Sequence, residues 1–495
     1  MGRSKDAEFA KLGGVRVFDY GEGDDSGTLE DDFEAWKAKF WPSMLSQFHT
    51  SSGSGTGDES NDKVVLTFRC LKTKPSKAKI PPMSQIQHSN KFFFTAPTAK
   101  MSVCTELRSE TDTGSTVHLE IDIKGTGLSY KTADNLAVLH ENTPEMVDLF
   151  ATTCGGYNLD QTVALEIAEG VDENDFKHPF PSPCTARHLL THYVDIQGIP
   201  RKSVLAQFSA YLSDKSQQEW LKNITSIAQK EEYLKVIEQE GRSFVSLLAK
   251  ELSSCKIPLE DLLHIVPTIQ PRDYTIASSS SVQPNSIHLT VSVTERMSPT
   301  GVKVEGACSN FLKRLIVTGS QACKMFVRES SFRLPKSLSV PIIMIGPGSG
   351  IAPMRALLQE RKFLAEKENK TDVVNVLYFG CRSRDIDYLY KEELIAAEND
   401  GSLSSLQLAF SREQTEKVYV QDVMKRPENA SSLCRMVLDE GAYVFVCGAT
   451  GMGQSVHEAF AHILSTERGM SVAAANDVLK DMQKKHTYVQ ELWSL

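Results

Sequence analysis

No stretch of the chain stays apolar for the roughly 18 residues that a bilayer-crossing helix needs, and no apolar leader core stands at its start. Neither a spanning segment nor a secretory leader is therefore expected. The ten cysteines stand singly between Cys70 and Cys447, without a CxxC pair or a metal-ligand spacing. That usage argues against a disulfide framework or a zinc ribbon, and fits reduced thiols in a cytoplasmic setting. A basic excess is missing too: 54 Lys and Arg against 63 Asp and Glu leave a net charge of −9. Nucleic acid, whose backbone attracts cationic surfaces, is thereby disfavoured as a partner. No internal repeat is found.

What remains is ordinary in bulk. The 495 residues, 41% hydrophobic and 24% charged, describe a soluble globular enzyme of about three domains. A lead segment, residues 1–42, carries a glycine-acid loop and an amphipathic acidic helix, GEGDDSGTLEDDFEAWKAKFW. The tract TSSGSGTGDESND lacks hydrophobic periodicity, so residues 43–62 read as a flexible linker or hinge. Beyond it, VVLTF and VHLEIDI read as strands, the second alternating Val117, Leu119, Ile121 and Ile123 against polar neighbours. ARHLLTHYVDI, RSFVSLLAKEL and PLEDLLHIV show helical spacing, predicting a helical insertion over about residues 143–266. Strand chemistry resumes where Ile287, Leu289, Val291 and Val293 alternate. Residues 63–335 thus read as one β-barrel domain interrupted by helices. From residue 336 to 495, strands alternate with helices (VPIIMIG, VVNVLYFG, LQLAF, AYVFVCG), which implies a parallel sheet covered on both faces.

Several short stretches carry chemistry. In IMIGPGSGIAPMRA a buried strand ends in Gly346, Gly348, Ser349 and Gly350 before a helix begins. Glycines let a pyrophosphate approach the backbone, and a helix N-terminus offers free N–H groups and a positive dipole end. After the strand LQLAF, the loop SREQTEKVYVQ gathers Ser411, Arg412, Lys417, Tyr419 and Gln421. A hydroxyl and two cations there suit a dianionic phosphate, with a ring available to adenine; a solvated charged loop is the bland alternative. In RDYTIASS, Arg272 and Tyr274 lie on one strand face, where an arginine can clasp a phosphate. Gly306, Ala307, Cys308 and Ser309 place small residues at a helix start, just before FLKRL. The chain closes on HTYVQELWSL, with Glu491 and Trp493 almost at its end.

Taken in order, RDYTIASS, GACSNFL, GPGSGIAP, FGCRSRDIDYLYKEEL, FSREQTEKVYVQ, VFVCG and ELWS resemble the motifs of the ferredoxin–NADP reductase superfamily. Within it they are most similar to the diflavin reductases of the NADPH–cytochrome P-450 reductase type, from about Val15 to Leu495. The resemblance implies an FAD-binding antiparallel β-barrel with an inserted helical connecting subdomain, plus a C-terminal parallel α/β NADP-binding domain. It implies hydride transfer from NADPH to FAD, with electrons passed to an FMN domain and then to a haem protein such as cytochrome P-450. Arg272, Tyr274 and Thr275 would hold the flavin and its phosphate, Gly306 to Ser309 the pyrophosphate, and Arg242 a further part of the cofactor. Thr290 and Ser292 belong to the same expected FAD set. Ser349 and Arg382 would line the nicotinamide nucleotide, while Ser411, Arg412, Lys417, Tyr419 and Gln421 would read its 2′-phosphate. Thr275, Cys447 and Glu491 would surround the hydride path, and Trp493 would stack on the flavin and swing aside.

The sequence departs from that family where Thr275 replaces a serine, Glu491 an aspartate, and Ala449 and Ser455 further acids; an expected arginine is either replaced by Thr105 or displaced to Arg108. The lead segment is similar to the last strand, loop and helix of the family's flavodoxin-like FMN domain, so FMN is not expected to bind this chain. An anchored longer form would place the protein on the cytosolic face of the endoplasmic reticulum. Sulfite reduction, methionine synthase repair, iron–sulfur assembly and a non-catalytic binding role are the alternatives.

Overall fold

The computed structural model describes residues 9–21, 29–47, 66–86, 91–174, 176–317 and 322–493. Asp24 and Asp25, most of the expected linker and the first half of VVLTF lie outside them. Among the described residues, β1 (Phe68–Thr73), β2 (Thr98–Glu106), β3 (Ser115–Asp122) and β4 (Asn135–Leu139) come first. Then follow β5 (Thr162–Ile167), β6 (Cys184–Thr185), β7 (Arg272–Thr275), β8 (Ser286–Val293), β9 (Glu295–Met297), β10 (Lys303–Glu305) and β11 (Ala322–Arg328). The last third carries β12 (Ile342–Ile345), β13 (Asn375–Cys381), β14 (Ser405–Phe410), β15 (Tyr443–Ala449) and β16 (Tyr488–Trp493).

Six antiparallel strands run in the order β7-β4-β11-β2-β3-β8, and a bridge from Ile276 to Leu289 brings the two edges together into a barrel. Its interior is filled by Val117, Leu119, Ile121, Leu136, Val138, Ile287, Leu289 and Val291, and plugged by the helix Ala307–Val317. The alternation read from β3 and β8 is present, but the intervening His118, His288 and Thr290 are buried as well. These strands are covered on both faces, because side chains from the parallel-sheet unit pack against the outer one.

The five-stranded parallel sheet has the order β14-β13-β12-β15-β16. All four residues of β12 are fully buried, as expected of a central strand with helices on either side. The chain turns outward from β12 in both directions, so the carboxyl ends of β12 and β15 diverge into the crevice where such sheets bind ligands.

Two expectations need refinement. The block at 143–266 is not purely helical: β5 and β6 lie within it and join β1 in a three-stranded sheet. VALEI and its neighbours do not form helix because Thr162 to Ile167 pair with Thr73 to Phe68 across a long sequence gap. Nor does the lead helix stop at Trp41–Pro42; it runs from Leu29 to Gln47 with Pro42 inside, the proline costing one backbone hydrogen bond. Its Trp36 stacks on Phe40 at 4.7 Å and donates to the Asp19 carbonyl at 2.8 Å.

The barrel and the parallel-sheet unit are tied by polar contacts. The Glu360 carboxylate accepts from the hydroxyls of Thr132, Ser279 and Ser281 at 2.6–2.7 Å. Arg355 donates to the Ala277 carbonyl at 2.7 Å. Among the described residues, no helix is long and apolar enough to cross a membrane.

Candidate active site at the seam between barrel and parallel sheet

Parallel pairing of β15 with β16 sets Cys447 beside Glu491, and Ala449 beside Trp493. The hydroxyl of Thr275, at the end of β7, hydrogen-bonds the Cys447 sulfur. Three residues from distant segments thus meet at the carboxyl edge of the sheet. Burial first, and then the Glu491 carboxylate, push the Cys447 thiol well above its usual range, so it remains a neutral S–H. Glu491 is itself held: its Oε1 accepts from the Ser330 hydroxyl and, at 3.2 Å, from the Ser331 backbone N–H. Ser330 and Ser331 escaped the sequence reading, since a serine pair after a strand carries no recognisable pattern. Trp493 is 37% exposed at the end of β16.

The antiparallel register of β4 and β7 places Val138 opposite Arg272, Leu136 opposite Tyr274 and Asn135 opposite Thr275. The Tyr274 hydroxyl reaches the Cys308 thiol at the start of the Ala307 helix. Burial, reinforced by Cys308, raises the tyrosine, and burial pushes the Cys308 thiol up to about 12; both groups stay neutral. Gly306 donates to the Thr294 carbonyl at 2.8 Å, while the Ser309 hydroxyl accepts from the Thr294 N–H at 3.1 Å. A Cβ at Gly306 would stand 2.7 Å from the Thr294 Cβ, which is why this tight entry to the helix needs glycine. Arg242, in contact with Glu251, lines a cavity of about 750 Å³ together with Gly306, Asn310 and Arg314. Arg242 and the Gly306 turn, far apart in sequence, therefore share one concavity.

One residue there was not anticipated. His140 follows β4, is 2% exposed, and among the described residues neither ring nitrogen has a partner. Burial, then the charges of Arg272 and Arg314, hold the ring down at about 4. An orphaned imidazole near two guanidinium groups fits a pocket whose ligand brings hydrogen-bonding and negative charge, as the diphosphate of FAD would. Thr290 and Ser292 lie elsewhere, on the outer face of β8. The Thr290 hydroxyl bonds the Tyr390 hydroxyl at 2.7 Å, and the Ser292 hydroxyl lies 3.5 Å from that of Thr116.

At the parallel sheet, the loop from Gly346 to Gly350 joins β12 to the helix Ile351–Glu368. A Cβ on Gly350 would stand 2.1 Å from the Cys447 carbonyl oxygen, so this glycine brings the loop against β15. Gly348 differs: its φ is +56° and space is open around it, leaving bare backbone for a phosphate. Across the sheet, Ser411 N–H donates to the Cys381 carbonyl at 3.0 Å and Arg412 N–H to the Arg382 carbonyl at 2.9 Å, pinning the loops after β13 and β14 together. Arg412, Lys417 and Tyr419 are exposed on this loop, and Gln421 is the second residue of the helix Val420–Met424 that follows. Among the described residues, neither cation has an ion-pair partner. Arg382 is differently placed: its Nε donates to Asp387 at 2.9 Å, and its guanidinium also contacts Asp112 of the β2–β3 connection. Arg108, the displaced arginine, binds Asp112 at 3.0 Å from the other side. Arg382 thus ties the parallel-sheet unit to the barrel.

Comparison with known proteins agrees with this division. A family model described as an FAD binding domain matches residues 87–311, and one described as an oxidoreductase NAD-binding domain matches residues 344–458. The NADPH–cytochrome P450 reductase of Cavia porcellus is 35% identical over 505 residues, covering 100% of this chain and 73% of that protein. That of Drosophila melanogaster is 34% identical over 505 residues (99% and 72%), and that of Salmo trutta 36% identical over 510 residues (100% and 79%).

Proposed function

The chain belongs to the family of NADPH–cytochrome P450 reductases, and on that premise we infer that it passes electrons from NADPH, through bound FAD, to an FMN-bearing domain and onward to a haem protein such as a cytochrome P450. Its class is that of an NADPH-dependent FAD oxidoreductase. When bound, FAD supplies the chemistry of accepting a hydride from NADPH and releasing electrons onward. The chain's own contribution is position and electrostatics.

The observation that carries the reading is the meeting of Thr275, Cys447 and Glu491 beside the Gly346–Gly350 loop. Thr275 offers a hydroxyl toward the flavin edge. Cys447, kept protonated by burial, fills the path with a small neutral group rather than a nucleophile. Glu491, oriented by Ser330 and Ser331, supplies a fixed carboxylate where positive charge develops on the nicotinamide as hydride leaves. Arg272, Tyr274, Arg242, His140 and the Gly306–Ser309 turn hold the flavin nucleotide. Ser349 and the backbone of Gly348 receive the dinucleotide phosphates, and Arg412 with Lys417 favours the 2′-phosphorylated cofactor. Trp493, at the exposed end of β16, would cover the flavin and would have to move aside for nicotinamide.

The test is direct. The purified chain should carry FAD but not FMN in its absorption spectrum and nucleotide content. It should reduce ferricyanide rapidly with NADPH and cytochrome c poorly. A colourless protein that cannot be reconstituted with FAD would sink the reading. Trp493→Ala should raise turnover with NADH relative to NADPH; unchanged turnover with both would remove the stacking role.

A further inference from the structure

We propose that His118, Glu120 and His288 form a binding site for a divalent cation of zinc's ligand preference, at the seam between the barrel and the parallel-sheet unit. His118 and Glu120 are two apart on β3 and share its outer face. The register of β3 with β8 sets His288 directly opposite Glu120, and Thr290 opposite His118. Three ligand-type side chains are thereby gathered by the sheet pleat, not by sequence proximity.

Their ligand atoms all lie within 4.8 Å of one another. His118 Nε2 is 3.4 Å from Glu120 Oε1, and the two imidazole rings meet edge to face at 5.1 Å. Bonds of about 2.0–2.1 Å to a tetrahedral zinc put ligand atoms roughly 3.3 Å apart, so the His118–Glu120 pair already has the required spacing and His288 has to approach the two. The surroundings match what a ligating imidazole requires. His118 Nδ1 is bonded to the Tyr390 hydroxyl at 2.9 Å, and that hydroxyl to Thr290, which directs Nε2 toward Glu120. His288 is 6% exposed, and among the described residues its Nδ1 has no hydrogen-bond partner. A buried polar atom left alone in this way calls for an explanation. Glu120 is the half-buried member of the set, with 35% of its side chain reaching solvent, so its side of the cluster is the entry path. The nearby Arg355 works against a cation, but its charge is engaged by Glu393 at 2.9 Å and by the face of Tyr390 at 4.8 Å. Because Tyr390 belongs to the parallel-sheet unit, the cation would sit one hydrogen bond from that unit.

The FAD-loaded chain, stripped with EDTA, is titrated with Zn²⁺ by calorimetry and with Co²⁺ as a visible-absorbing substitute. One equivalent should bind, with Co²⁺ showing tetrahedral d–d bands and no thiolate charge-transfer band. His288→Gln and Glu120→Gln should each weaken binding at least tenfold. Glu120 is exposed enough that its variant keeps the test decisive if His288→Gln fails to fold. Absence of saturable binding, a thiolate band pointing to the cysteines, or affinity unchanged in Glu120→Gln would each overturn the proposal.

Discussion

The two halves of the candidate active site are built in opposite ways. In the parallel-sheet unit each loop that carries candidate site residues follows its strand directly: Gly346–Gly350 after β12, Arg382 after β13, Ser411 to Tyr419 after β14. In the barrel no such locality exists. Arg242, His140, Arg272 and Gly306 reach one region from four separate segments, and Thr275 meets Cys447 and Glu491 only because two domains pack together. Parallel strands leave their functional loops at one edge, so local motifs suffice. Antiparallel closure makes the site a matter of register.

That contrast can be broken or sharpened by substitution. The largest effect is expected for Gly350→Ala, whose Cβ would strike the Cys447 carbonyl oxygen, a backbone atom with little freedom to yield. Denaturant titration should show a loss of about 3 kcal/mol, with NADPH–ferricyanide turnover falling alongside. Gly348→Ala, with open space but φ of +56°, should cost only about 1 kcal/mol. Equal losses would mean that close approach to β15 is not what distinguishes the two glycines.

Next comes Glu491→Gln, which keeps the shape and the hydrogen bond from Ser331 but removes the charge. A fall in kcat of about 10–100-fold, or roughly 1.4–2.7 kcal/mol in barrier, should appear with FAD content unchanged. Lost FAD instead would place Glu491 in the barrel's binding function rather than on the hydride path.

His140 gives the barrel a pH dependence. Its ring sits at about 4 in the fold, against the ordinary value of about 6.5 in the unfolded chain. Between these values the unfolded chain binds a proton that the folded chain refuses, so stability is full above 6.5 and lost as pH falls toward 4. For flavin-free protein the contribution is about 2 kcal/mol between pH 8 and pH 5, measured by denaturant titration at each pH. His140→Gln should flatten that slope; an unchanged slope would assign it to other groups.

The smallest kinetic effect belongs to the parallel sheet. Lys417→Ala should raise KM for NADPH about tenfold, near 1.4 kcal/mol, and leave NADH kinetics unchanged. Equal changes for both cofactors would show that Lys417 does not read the 2′-phosphate.

Much of this was legible beforehand, for identifiable reasons. The GPGSG loop stood out because a strand-to-helix turn of bare backbone is written as glycines in consecutive residues. The β3 and β8 alternation was equally plain, since period-two burial is written along one strand. The short strands β5 and β6 were hidden inside a helical block, because β5 pairs with β1 about ninety residues away and β6 is held only by β5. His140 and Ser330 were invisible for the same reason: neither residue type signals a role until a distant arginine or carboxylate arrives beside it.

The sequence by itself determined the alternation of β3 and β8, the strand-helix order of the parallel-sheet unit, and to which family the chain belongs. Tertiary structure decided what those segments do together: that Cys447 lies between Thr275 and Glu491, that Arg382 spends its charge on Asp112 and Asp387, and that Thr290 faces Tyr390 rather than the Arg242 cavity. Local propensity and periodicity act over a few residues and can be read in order along the chain. Charge pairing and burial act over a few ångströms in space, and only the packed fold says which residues those ångströms separate.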